Sequence, residues 1–190
     1  MTVAELPQLV VPESSFRREV ERLSGENVST CFQCEKCTNG CPLHSWMDIL
    51  PHRMMRCVQL GVKEEALRSD TIWVCASCET CTARCPNGID IAHVMDTLRQ
   101  ISQRDHVPAS QRSVPIFHNA FLSSIKRHGR VYEGAMAITY SFKNESWAGV
   151  FKLAGMGMEM FRKGKVNIIP KRVRSLGQIK DIFRRTELKG

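Results

Sequence analysis

Two stretches of twelve residues, CFQCEKCTNGCP at residues 31–42 and CASCETCTARCP at residues 75–86, decide how this chain is organised. The second stretch begins 44 residues after the first, and seven of its twelve positions are identical. Both have the form C-x2-C-x2-C-x3-C-P, and together they contain eight of the nine cysteines. A pattern that occurs twice with the same spacing indicates an internal repeat with one chemical role.

The spacing of these cysteines is typical of an iron-sulfur cluster. Three thiolates separated by two residues each can turn inward from one loop and bind three irons of a [4Fe-4S] cubane. In this motif the fourth cysteine, which precedes a proline, ligates the other cluster. The sequence therefore predicts two [4Fe-4S] clusters with exchanged ligands. Cys31, Cys34, Cys37 and Cys85 would bind the first cluster, and Cys75, Cys78, Cys81 and Cys41 would bind the second.

Zinc and free structural thiols are the alternatives for these eight residues. Zinc sites usually pair two C-x2-C hooks that are far apart in sequence around one tetrahedral ion, so the spacing favours the cluster. The ninth cysteine, Cys57, stands with Met54 and Val58 at helical spacing, which predicts a small buried residue. A redox thiol or a spare ligand is the other interpretation of Cys57.

Charged residues near the loops give two further expectations. Lys36 and Arg84 lie inside the repeated stretches, where a cation would raise a cluster's reduction potential, although solvated loop charges are the simpler interpretation. Among the six histidines, His44 is the one expected to lie near a cluster, with a surface role rather than a ligand role.

Composition excludes several other classes of protein. The 190 residues contain an odd number of cysteines and no long apolar stretch, which argues against a disulfide framework and a membrane-spanning helix. Near the start, Pro7, Pro12 and Glu13 interrupt the short apolar run, so no secretory leader is expected. The sequence thus predicts a cytoplasmic protein, in a compartment where thiols stay reduced unless they bind metal or do redox work.

Charge is concentrated at the end of the chain. The formal net charge is +8, and residues 162–190 hold ten Lys and Arg against two Asp and Glu. Leu176, Ile179, Ile182 and Phe183 recur at helical spacing, so this basic tail is predicted to contain an amphipathic helix. Docking onto another subunit is the favoured role, with a membrane surface or a solvated tail as alternatives.

Outside the cysteine loops, helix signals outnumber strand signals. Asp90 is expected to cap one of the helices. The predicted helices cover residues 15–23, 51–60, 63–68, 91–103, 113–128 and 146–163. These signals predict a mainly α fold in which the two cysteine loops are inserted between helices.

This pattern resembles the α-helical ferredoxin domain of respiratory-type iron-sulfur subunits and, within that group, the C-type iron-sulfur subunit of heterodisulfide reductase. The resemblance rests on the first cysteine stretch, on MDILPHRMMRCVQLG at residues 47–61 and on WVCASCETCTARCPNGIDI at residues 73–91. It implies an α-helical ferredoxin-type domain followed by C-terminal helices and the basic tail. The expected plan is an N-terminal helical segment, a dicluster domain, a helical region and a docking tail, at residues 1–25, 26–107, 108–163 and 164–190.

The same resemblance implies a function. A chain of this kind would relay electrons between a flavin-containing subunit and a catalytic disulfide-reductase-type subunit that carries Cys-Cys-Gly motifs. The present chain has no adjacent Cys-Cys-Gly run, no Walker A motif and no G-x-G-x-x-G after a strand, so a non-catalytic role in an oxidoreductase complex is expected. The alternative is an iron-sulfur redox sensor whose basic tail binds a partner or a nucleic acid.

Overall fold

The computed structural model describes residues 14–164 and 173–186, and these ranges are helical without a strand. This confirms the prediction of a mainly α fold. Short 3-10 turns lie at Val28–Thr30 and His44–Trp46. The helices are α1 (Ser14–Ser24), α2 (Lys36–Asn39), α3 (Pro51–Leu60), α4 (Lys63–Arg68), α5 (Thr71–Val74), α6 (Thr80–Ala83), α7 (Ile91–Arg104), α8 (Ser113–His128), α9 (Glu133–Arg162) and α10 (Leu176–Thr186).

The chain divides into two compact units, Met1–Gln111 and Arg112–Gly190. The core of the first unit forms where α1, α3, α4 and α7 pack together. The largest fully buried side chains include Phe16, Met54, Met55, Leu67, Met95 and Leu98. Burial of a side chain of this size stabilises the fold by about 1.5–3 kcal/mol.

Local signals place the ends of the helices that flank the cysteine loops. Pro51 is the first residue of α3, where its missing N–H costs nothing. Gly61 ends that helix with φ of 73°, a left-handed conformation that glycine adopts without strain. Asp90 caps α7, because its carboxylate accepts a hydrogen bond from His93 N at 2.9 Å. The predictions for α3, α4 and α7 are confirmed.

The second unit contains α8, α9 and α10. Phe117 of α8 stacks on Phe121 and meets Tyr140 of α9 edge to face at 5.8 Å between ring centroids. The predicted start of α9 at Ser146 is wrong, because the helix begins at Glu133. The polar run at residues 144–146 resembles a helix cap, but the helix continues through it.

The predicted amphipathic helix of the tail is confirmed as α10, which packs against α8. Val173 N donates to His128 O at 3.2 Å, and Lys126 lies over the Phe183 ring at 5.9 Å. Arg184 and Arg185 both pair with Asp181. The described part of the predicted tail thus contributes a helix to the second unit, and its docking role stays a prediction.

Several predictions fall on residues outside the described ranges. They are those on Pro7, Pro12 and Glu13 near the start, and those on the basic residues Lys165, Lys171 and Arg172 of the tail. Among the described residues, no helix combines the length and the apolar character needed to cross a bilayer.

Candidate metal centre

The eight motif cysteines line two separate cavities in the first unit. Each cavity takes three cysteines from one loop and the last cysteine of the other loop. The first cavity is lined by Cys31, Cys34, Cys37 and Cys85. The second is lined by Cys75, Cys78, Cys81 and Cys41. The structure thus brings together the two sets of residues that the motif predicts, and their ligand roles stay a prediction.

Both cysteine loops adopt the same unusual backbone. Gln33 and Glu35 have φ of 60° and 62°, and the residues 44 positions later, Ser77 and Glu79, have φ of 49° and 60°. A left-handed conformation costs about 1–3 kcal/mol at a residue other than glycine, so it persists where the surroundings require it. Successive N–H groups in such turns form concave binding sites for anionic groups, including iron-sulfur clusters.

The N–H groups of these loops have little else to bind. Across the described part of the chain, the N–H groups of residues 32–35 and 76–79 donate to no backbone carbonyl. Each loop therefore offers a row of backbone donors beside three thiols. This arrangement fits an anionic sulfur cluster, because its sulfurs can accept those hydrogen bonds.

The thiols differ in how easily they lose a proton. Burial raises the pKa of the Cys37 thiol to about 11, and burial also raises the pKa values of Cys75 and Cys81. The exposed thiol of Cys78 differs, since hydrogen bonds with the Thr80 hydroxyl and backbone lower its pKa. Binding of metal to this set therefore releases protons from buried thiols, and metal affinity falls as the pH falls.

The structural repeat extends beyond the cysteine loops into the helices that follow them. Gln59 of α3 donates from Nε2 to the carbonyls of Val28 and Cys31, at 3.0 and 2.8 Å. Arg99 of α7 donates to the carbonyls of Ile72 and Cys75. These two residues lie 44 positions after Val28 and Cys31. One helix side chain therefore holds the start of each loop at the same two carbonyls.

A second contact joins each loop to the start of the same helix. Thr38 Oγ1 accepts from His52 N at 3.2 Å, and Thr82 Oγ1 accepts from Ala92 N at 3.3 Å. The helix residues of these two contacts, His52 and Ala92, lie 40 positions apart, whereas the loop residues lie 44 positions apart. The difference arises because eight residues separate the motif proline from α3, whereas four separate it from α7.

Comparisons with known proteins agree with this geometry. Residues 30–90 match the family model of a 4Fe-4S dicluster domain. This part of the chain is thus similar to 4Fe-4S dicluster domains. It is also 34% identical over 114 residues to the C-type iron-sulfur subunit of the CoB–CoM heterodisulfide reductase of Methanopyrus kandleri. The match covers 60% of this chain and 56% of that relative, so the chain spans little more than half the length of that protein. The resemblance predicted from the residues is confirmed.

A carboxylate also connects the two cysteine loops. Asp48, which follows the first loop, accepts hydrogen bonds from Ser69 Oγ at 2.6 Å, Thr71 N at 3.0 Å and Thr71 Oγ1 at 2.8 Å. Partial burial raises the pKa of Asp48, but hydrogen bonds from Ser69, Asp70 and Thr71 outweigh it and lower the pKa to about 2. Asp48 thereby joins the segment after Cys41 to α5, which leads into Cys75.

Three further residues singled out in the sequence lie near the cysteine loops or on α3. Lys36 lines the first cavity. The Arg84 side chain lies against Gly40, where a Cβ would come within 2.6 Å of the Arg84 Cδ atom. Cys57 is half-buried between the buried Met54 and Val58, and burial raises the pKa of its thiol.

The surface role expected of His44 agrees with the structure, but His44 is not the histidine that lines a cysteine cavity. His44 is exposed and its Nδ1 bonds to Cys41 O at 2.8 Å, whereas His52 lines the first cavity and its Nδ1 bonds to Thr38 Oγ1 at 2.8 Å. His44 is close to a cysteine in sequence, but α3 turns His52 back toward the first loop.

Sequence reasoning missed four residues of the site. They are Asp48, His52, Gln59 and Arg99, whose contacts span 14 to 31 positions of the chain. An alignment of the two halves by their helices would have placed Gln59 and Arg99 together. Within residues 14–164 and 173–186, no three His, Cys, Asp or Glu side chains group closely enough to hold a single metal ion. The fit to iron-sulfur clusters therefore rests on the two cavities and their backbone donors.

Proposed function

We propose that this chain acts in the cytoplasm as the iron-sulfur electron-transfer subunit of a heterodisulfide-reductase-like complex. In this proposal it relays single electrons between a flavin-containing subunit and a catalytic subunit of the Cys-Cys-Gly type. The observation that carries the proposal is the pair of cavities, each lined by three cysteines of one loop and one of the other. A [4Fe-4S] cluster accepts and releases one electron when it is bound in such a site.

The ligand sets follow from the same cavities. We assign Cys31, Cys34, Cys37 and Cys85 to one cluster and Cys75, Cys78, Cys81 and Cys41 to the other. The loops supply N–H donors toward the site, and α3 and α7 hold the start of each loop. Because each loop contributes one cysteine to the other set, the two sites are mechanically connected and should assemble together.

Exposed apolar side chains support the assignment to a multi-subunit complex. In the first unit, Phe32 of the first loop is 62% exposed, and Trp46, which follows Cys41, is 75% exposed. Contiguous patches of exposed apolar side chains mark surfaces that contact partners. In the second unit, α8 and α9 expose Phe117, Phe121, Leu122, Ile138, Phe142, Phe151, Met158 and Met160.

The cluster assignment is tested by anaerobic purification with iron, sulfide and zinc analysis. We expect about eight irons per chain and two one-electron signals in a redox titration followed by electron paramagnetic resonance. Cys85→Ser should remove or alter the cluster of the first set, although Cys85 lies in the second loop. Cys57→Ser is the matched control and should keep both signals. A zinc protein, or a first-set cluster whose signal is unchanged in Cys85→Ser, would contradict the assignment.

The partners are tested by co-purification from the native source with a tagged chain. We expect a flavin-containing subunit and a subunit with Cys-Cys-Gly motifs, identified by mass spectrometry. A Phe151→Ser variant should weaken the association and leave the iron content unchanged. Retrieval of the chain alone, or with proteins that contain neither flavin nor such motifs, would contradict the proposed relay.

A further inference from the structure

The two halves of the dicluster domain hold their loops with different charges. At equivalent carbonyls, the first half uses the neutral amide of Gln59 and the second half uses the guanidinium of Arg99. The charge lies directly at the second loop, because Arg99 donates to the carbonyl of Cys75, a residue that lines the second cavity.

Arg99 is part of a small network. Its Nη1 atom lies 2.6 Å from Asp96 Oδ1 and 3.3 Å from Ser77 Oγ, and Ser77 Oγ donates to Asp96 Oδ1 at 3.0 Å. Ser77 is a left-handed residue of the second loop. Arg99 therefore holds that loop at its start through two carbonyls and at a strained position through Ser77.

The charged side chains of Arg99 and Asp96 differ in how far they are exposed to solvent. The Arg99 side chain is 15% exposed, whereas that of Asp96 is 40% exposed. Water screens a charge at the surface more than a charge in the interior, so the cation outweighs its partner at the loop. In the first half, Arg56 is exposed and donates to Gln59 Oε1 at 3.1 Å, so it contacts the residue that holds the first loop and not the loop carbonyls themselves.

We propose that Arg99 is the positioning residue of the second cysteine loop and that its cation raises the reduction potential of the cluster in the second cavity, with Asp96 acting in the opposite direction. This inference rests on the proposed function, because it requires a cluster in that cavity. An added electron is stabilised by a nearby positive charge and destabilised by a nearby negative charge.

The test measures both reduction potentials in the full chain by redox titration. Arg99→Gln keeps hydrogen-bond donors of the kind that Gln59 provides, and it removes the charge. We expect it to lower the reduction potential of the second cluster by up to about 59 mV. For one electron, this shift corresponds to a tenfold change in the equilibrium constant of reduction. Asp96→Asn should raise the same potential, and Arg99→Lys should keep it near that of the unmodified protein.

Potential shifts of opposite sign in Arg99→Gln and Asp96→Asn distinguish an effect of charge from a loosening of the loop. The matched control is Arg104→Gln, which removes a cation from the same helix where it pairs with Glu19 and Asp105, away from the loop. It should shift neither potential. Cys78→Ser and Cys34→Ser identify which signal belongs to which cavity.

The inference is overturned if Arg99→Gln and Asp96→Asn shift the second potential in the same direction, or if neither shifts it while iron content stays complete. If Arg99→Gln loses the second cluster, the Asp96→Asn variant decides the sign by itself. Failure of the proposed function is distinguishable, because the unmodified protein would then lack two cluster signals before any variant is compared.

Discussion

At the scale of single residues, Asp48 shows how one side chain can organise a site without lining it. Its carboxylate accepts hydrogen bonds from the Ser69 hydroxyl and from the backbone N–H and hydroxyl of Thr71, and these contacts fix α5 beside the segment that follows Cys41. Both Cys41 and Cys75 line the second cavity. The position of two cysteines therefore depends on one acid.

The lowered pKa of Asp48 predicts a pH-dependent contribution to stability. A carboxyl group with a pKa of about 2 in the folded state and about 3.9 in the unfolded state stabilises the fold fully above pH 4. That stabilisation is lost as the pH falls from about 4 to 2. Asp48→Asn should lower the free energy of unfolding by about 1 kcal/mol at pH 7, since solvent screens this exposed group.

The measurement is urea denaturation of the metal-free chain at pH 7 and pH 3, so that loss of metal at low pH does not contribute. The difference between Asp48→Asn and the unmodified protein should shrink at the lower pH. Asp70→Asn is the control, because the Asp70 side chain makes no cap hydrogen bond to α5. An equal difference at both pH values would show that the carboxylate charge is not what stabilises the segment.

The pKa values of the thiols predict an order of reactivity once iron has been removed with a chelator. Cys78 is exposed and its pKa is lowered by Thr80, whereas burial raises the pKa of Cys37 to about 11. Iodoacetamide should therefore modify Cys78 before Cys37 at pH 7.5, because the thiolate is the reactive form.

Mass spectrometry of peptides from a time course measures this order. Thr80→Val should slow modification of Cys78 and leave the rate at Cys37 unchanged. Equal rates at the two cysteines would mean that the loops lose their conformation when iron leaves.

At the scale of secondary-structure elements, the start of α7 fixes the second loop. Asp90 accepts from His93 N at 2.9 Å and from Thr82 Oγ1 at 2.8 Å, so it caps the helix and contacts the residue after Cys81. Asp90→Ala should reduce the free energy of unfolding by about 1–2 kcal/mol.

Asp90→Asn provides the comparison, because an asparagine oxygen can accept both hydrogen bonds and caps helices about as well as aspartate. Urea denaturation of both variants measures the effect. A loss as large in Asp90→Asn as in Asp90→Ala would indicate that charge, rather than capping, stabilises this end of α7.

At the scale of the whole molecule, all eight motif cysteines lie in the first compact unit. A chain that ends at Gln111 should therefore bind about eight irons and show both cluster signals, because both cavities are lined by residues of this unit. Residues 112–190 contain no cysteine and should bind none.

Iron analysis and electron paramagnetic resonance of the two fragments test this division. The shortened chain should fail to co-purify with partners, since the exposed apolar side chains of α8 and α9 are removed. Loss of one cluster from the shortened chain would mean that the second unit stabilises a site in the first.

The sequence alone determined the features that depend on local spacing. The cysteine runs predicted two sets of four residues, and Pro51, Gly61 and Asp90 marked helix ends because their preferences are set by their own backbone chemistry. The start of α9 was not predictable in this way, since the helix runs from Glu133 through a polar run at residues 144–146 that has the local character of a cap.

The tertiary structure alone decided which side chains from distant positions meet at the loops. Gln59 reaches Cys31 across 28 positions and Arg99 reaches Cys75 across 24, and no local preference of either residue indicates these contacts. The same packing placed His52, rather than His44, at the first cavity. Such pairings depend on how helices pack around a common core, which is a property of the folded chain and not of any short segment.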